Sequence, residues 1–172
     1  MTGKIRGAPP FPASATVLAR LSKGVGTGRG RPDVLGLALR IPTESGAWDL
    51  LLSTTGTGKW TRFIPMIARR WRDARLSTLT PYRYDGELVW FMALPGAGEP
   101  PAQFTLHASG RDAAWHEVAE VVLHSHDSDM TTAFDPVHNL PPELRLAPDW
   151  LAKLRQQAYV GSRRGRGESR LG

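Results

Sequence analysis

Asp33-Val-Leu-Gly-Leu-Ala-Leu-Arg-Ile-Pro-Thr-Glu-Ser-Gly-Ala-Trp-Asp-Leu50 is the stretch whose reading decides the fold. Leu37, Leu39 and Ile41 alternate with Gly36 and Ala38, which describes a strand with one apolar face and one face of small residues. Thr43 to Gly46 supplies a turn and Trp48 to Ser53 begins a second strand, so the stretch reads as a β-hairpin.

More strands flank it. Thr16 to Ser22 has the β-branched start and alternation of a strand. Leu79 to Tyr84 and Glu87 to Leu94 meet at Asp85-Gly86, the strongest local hairpin signal in the chain. Gln103 to Ala108 and Trp115 to His124 follow, which gives about seven strands, enough to close or nearly close a barrel over residues 15–126. Residues 1–14, with Pro9, Pro10 and Pro12, read as an irregular arm, and Phe63 to Trp71 as a short helix or loop broken by Pro65. Beyond the barrel, residues 127–147 read as a proline-punctuated crossover. Residues 148–162 read as an amphipathic C-terminal helix opened by Pro148, and 163–172 as a basic tail. The expected fold is mainly β: an antiparallel barrel with a C-terminal helix.

Composition agrees with that expectation. The chain has 172 residues, 41% hydrophobic and 22% charged, the size of one core with tails. Its 18 glycines and 14 prolines favour short strands and turns over long helices. Cysteine is absent, which excludes disulfides and thiolate metal sites. With neither a signal-peptide core nor a membrane-length apolar run, the sequence predicts a soluble cytoplasmic protein without a membrane partner.

The net charge of +6 sits in two clusters, Arg69, Arg70, Arg72 and Arg75, and Arg163, Arg164, Arg166 and Arg170. The second reads as a solvated tail, since it lacks the aromatic groups on which nucleic acid bases stack, so nucleic acid is not an expected partner. Two glycine-rich stretches suggest phosphate cradles and fail the test. Lys23 to Pro32 leads into a strand, not a helix, and Thr55 to Trp60 has Trp60 where a P-loop needs Ser or Thr.

The hairpin resembles the first long hairpin of the heme catalases, whose pattern Asp-x-x-Gly-x-Ala-x-Lys/Arg-x-x-Thr-Glu-x-Gly-x-Trp-Asp-Leu runs from Asp33 to Leu50 without a gap. Ala19-Arg20-Leu21-Ser22 is similar to the segment that precedes it in that family. The resemblance implies a reduced catalase-like barrel, heme as cofactor and a small-molecule or peroxide substrate. It further implies Tyr159 as the iron ligand, Arg155 keeping it ionised, and Arg166 and Arg20 holding propionates. That ligand needs help, because a free tyrosine titrates near pH 10, and a guanidinium one helical turn away favours the phenolate. The distal side departs from the family. Residues 1–19 contain no histidine, and Ser53 and Thr54 stand where the family has two asparagines. Without a proton shuttle, the expected activity is weak and peroxidase-like rather than true catalase turnover.

A second constellation is His124-Ser-His126-Asp127-Ser-Asp129. On a strand His124 and His126 point the same way, and Asp127 or Asp129 would complete a nitrogen and oxygen set for a divalent metal, as in a phosphodiesterase. A strand end running into a polar turn explains the same residues. A non-catalytic barrel that binds an apolar or anionic ligand, with no cofactor, is the third reading.

Overall fold

The computed structural model describes residues 1–23, 33–56, 61, 64–111, 114–125 and 133–147. Ten strands are described: β1 (Thr2–Gly7), β2 (Ala15–Lys23), β3 (Leu35–Thr43), β4 (Gly46–Thr54), β5 (Leu76–Ser77), β6 (Tyr82–Tyr84), β7 (Glu87–Pro95), β8 (Gln103–Ser109), β9 (His116–Ser125) and β10 (Leu144–Leu146). Eight of them, all but β6 and β10, close into an antiparallel barrel in the order β1-β2-β3-β4-β5-β7-β8-β9 and back to β1. β10 pairs with β6, and β6 with the start of β7, as a three-stranded lip outside that ring.

The decisive hairpin folds as its alternation requires. β3 and β4 pair from Gly36↔Ser53 to Thr43↔Gly46, around a turn at Glu44 and Ser45. Leu35, Leu37, Leu39 and Ile41 point into the barrel against Trp48, Leu50 and Leu52, all at most 3% exposed. The hairpin at Asp85-Gly86 also forms, with both residues at positive φ (48° and 81°), the backbone that a tight two-residue connection between twisted strands needs.

Both mouths of the barrel are plugged. Phe11 packs on Trp48 and Phe91 at ring-centroid distances of 5.1 and 5.3 Å, and Tyr82 joins the cluster. Four residues further along β7 from Phe91, Pro95 pairs with Phe104, and there Trp71, on a 3-10 turn (Trp71–Asp73), packs edge-on against Phe104.

Two expectations need correcting. Residues 1–14 are not an irregular arm. Thr2–Gly7 is a barrel strand paired with β2 on one side and β9 on the other, and Phe11 behind it is core. The proline run hid it: only residues 8–14 are irregular, and β1 has two glycines where its partners come too close for side chains. The crossover over 127–147 ends in a strand, β10, because Leu144 and Leu146 are buried by pairing with Tyr84 and Tyr82. Between Ile64 and Trp71 the loop alternative forms: the chain makes single bridges, Thr55↔Pro65 and Asp33↔Ala68, before the 3-10 turn. The expected C-terminal helix, 148–162, and the basic tail lie outside the described residues.

Candidate functional site

The period-two geometry that sends Leu37, Leu39 and Ile41 inward sends their neighbours to the outer surface. Arg20 pairs with Ala38 and Ser22 with Gly36 across β2 and β3, and Leu51 and Ser53 continue the same face on β4. These six residues line an open groove of about 310 Å³ on the outside of the barrel, with Val34 and Leu79 at its rim. With no side chain at Gly36 and one methyl at Ala38, the floor is nearly flat. A Cβ added at Gly36 would come within 2.6 Å of the Ser22 hydroxyl oxygen.

Among the described residues Arg20 is the one charged residue lining this groove. It is exposed, and among the described residues no carboxylate pairs with it. Its guanidinium lies 5.2 Å from the centre of the Phe134 ring, and that of Arg40 lies 5.4 Å from the same ring. Phe134 is 7% exposed, so the crossover places an aromatic ring against the barrel beside the groove.

Asp49 holds that crossover in place. Fully buried, it accepts hydrogen bonds from Arg40 Nε (2.7 Å) and Nη2 (2.6 Å), from the Asp135 backbone N–H (2.7 Å) and from Asn139 Nδ2 (2.8 Å). The Asp49 N–H donates in return to the Asn139 carbonyl. The hydrogen bond to Asp49 raises the Arg40 guanidinium above its ordinary pKa despite burial, helped by the charges of Asp49 and Asp135. Burial pushes the Asp135 carboxyl up, but hydrogen bonds from the His138 ring and from the His138 and Val137 backbone outweigh it. The net effect holds Asp135 below the usual aspartate range.

Of the residues that the sequence singled out, Arg20 is in the groove and His124 is on β9, exposed on the outer face of a different part of the barrel. Tyr159, Arg155 and Arg166, with His126, Asp127 and Asp129, lie outside the described residues. Among the described residues no three His, Cys, Asp or Glu side chains form a group able to hold a metal ion. Sequence reasoning missed Ser22, Leu51, Ser53 and Phe134 as neighbours of Arg20, and missed the Asp49 latch. One signal was available for the latch: Arg40 and Asp49 fall opposite each other once the hairpin register is counted from its turn.

Comparison with protein-family models gives no match to this chain, and comparison with curated proteins gives none either.

Proposed function

We propose that the outer groove binds a flat, largely apolar anion and that the anion is heme, which the catalase resemblance favours. The observation that carries this reading is the placement of Arg20, which has no carboxylate partner among the described residues, at the edge of a nearly flat apolar floor made by Gly36, Ala38 and Leu51. A porphyrin face requires such a floor, and its propionates require a cation. The described residues offer both along one edge of the ring. A groove of about 310 Å³ is at the low end of small-molecule sites, about 300–1,000 Å³, and takes one edge of the ring. The axial donor on this reading, Tyr159, and its partners Arg155 and Arg166 lie outside the described residues.

Heme, when bound, would supply redox chemistry toward peroxide. The groove's described residues supply positioning, because among them there is no His, Asp or Glu that would move a proton. Binding without fast catalase turnover is therefore the expected behaviour.

Hemin titration of the purified protein tests this. A Soret band distinct from that of free hemin is the expected result. Arg20→Gln should weaken binding by about tenfold or more, the worth of one charge-assisted hydrogen bond to a carboxylate. Oxygen release from hydrogen peroxide should stay low. A protein that leaves the hemin spectrum unchanged overturns the proposal. A colourless protein with a stoichiometric divalent ion, lost together with phosphodiester hydrolysis in His124→Gln, would replace it with the hydrolase reading.

A further inference from the structure

The large apolar side chains left in solvent among the described residues are Ile64, Met66 and Ile67, at 53%, 48% and 69% exposure. They belong to one segment of four residues, and its backbone is fixed. Met66 N–H donates to the Thr54 carbonyl (2.8 Å), the Thr54 hydroxyl donates to the Met66 carbonyl, and Ala68 exchanges two hydrogen bonds with Asp33. Thr54 is itself an inward residue of β4, also accepting from the Leu35 N–H, so the segment is tied to the barrel wall. The three side chains cannot turn into the core without breaking this ladder, and the core positions at this mouth are already filled by Trp71 and Leu76.

Immediately after them come Arg69, Arg70, Arg72 and Arg75, all exposed. Trp71 and Ala74 turn inward on the 3-10 turn, which leaves Arg72 and Arg75 on its solvent side. Four arginines against Asp73 give residues 64–75 a net charge of +3, half the excess of the whole chain. The nearby Glu99 carboxylate, which accepts from the Trp71 backbone N–H at 3.0 and 3.1 Å, adds one negative charge beside this stretch and leaves the cations in excess.

We propose that residues 64–75 dock the protein on an anionic lipid surface, with Ile64, Met66 and Ile67 entering the acyl boundary and the arginines meeting the phosphates. An apolar patch in solvent marks an interaction site, and the cations beside it select an anionic one. A bilayer accepts apolar side chains of any shape, whereas a protein partner must offer three matching pockets to a narrow segment. No helix among the described residues is long and apolar enough to cross a membrane. Surface docking needs none, so the expectation of no membrane partner, which rested on the lack of a span, does not bear on it.

Sedimentation with vesicles of phosphatidylcholine alone, and of phosphatidylcholine mixed equally with phosphatidylglycerol, tests the proposal. The parent should bind the mixed vesicles and not the neutral ones. The triple variant Ile64→Ser, Met66→Ser, Ile67→Ser should lose at least about tenfold in partitioning, given the apolar area removed. Arg69→Gln, Arg72→Gln, Arg75→Gln should lose about a hundredfold, at about fivefold per arginine near an anionic surface. All six positions are exposed, so both variants should melt as the parent does. Undiminished binding by the serine variant overturns the proposal, because charge alone would then explain adsorption. So does a parent that ignores both vesicles, whether it binds nothing, retains nucleic acid, or self-associates through a contact that the serine variant abolishes.

Discussion

At Asp49 a fully buried carboxylate gathers Arg40, the Asp135 backbone and the Asn139 amide, so that one side chain joins the β3–β4 hairpin to a segment ninety residues on. Replacing it with alanine strands four donor atoms on three residues at once. Arg40 keeps a 26% exposed side chain and recovers part of its hydration, which lowers the cost below that of a wholly buried pair. Asp49→Ala should therefore destabilise by about 2–3 kcal/mol, read as a lower urea midpoint at unchanged slope. Residues 133–140 should become the first site of proteolysis. If the midpoint holds and the crossover stays protected, the latch has no energetic role. The Arg40–Asp49 half of this network was legible from the hairpin register. The Asp135 and Asn139 half was not, because nothing local in either segment marks the other as its neighbour.

Among elements, β1 and β3 use glycine for different reasons. A Cβ at Gly7 would sit 2.7 Å from the Ala119 Cβ, 2.8 Å from the Phe11 Cβ and 2.8 Å from the Val118 carbonyl oxygen, so rigid structure surrounds it. At Gly36 the close atom is the Ser22 hydroxyl, the end of an exposed side chain that can rotate away. Gly7→Val should cost about 3 kcal/mol or more in stability and Gly36→Val about 1 kcal/mol, compared by thermal unfolding. Gly36→Val should nevertheless lose hemin binding, since it roughens the groove floor. Equal melting temperatures for the two variants would show that β1 does not approach β9 as closely as described. The sequence predicts a destabilising Gly36→Val from strand geometry alone. That the greater constraint lies in the supposed arm is visible only once β1 is placed between β2 and β9.

For the molecule as a whole, closure is the central event. β1 is the stave between β2 and β9, and it brings Ile5, which has no solvent exposure, into the core. Removing residues 1–8 leaves two long strand edges unpaired, a condition that promotes association with other chains. The truncated protein should lose its cooperative thermal transition and aggregate, as measured by calorimetry and light scattering; a monomer with a sharp transition would mean that the barrel closes without β1. The sequence by itself determined the hairpins, the inward set on β3, and the mainly β character, because alternation and two-residue turns are fixed by neighbours along the chain. The tertiary structure decided that β1 meets β9 more than a hundred residues away, that Asp49 holds the crossover, and that Ile64, Met66 and Ile67 stay in water. Each of these depends on which surfaces remain to be buried after the local elements have formed, and no local pattern carries that information.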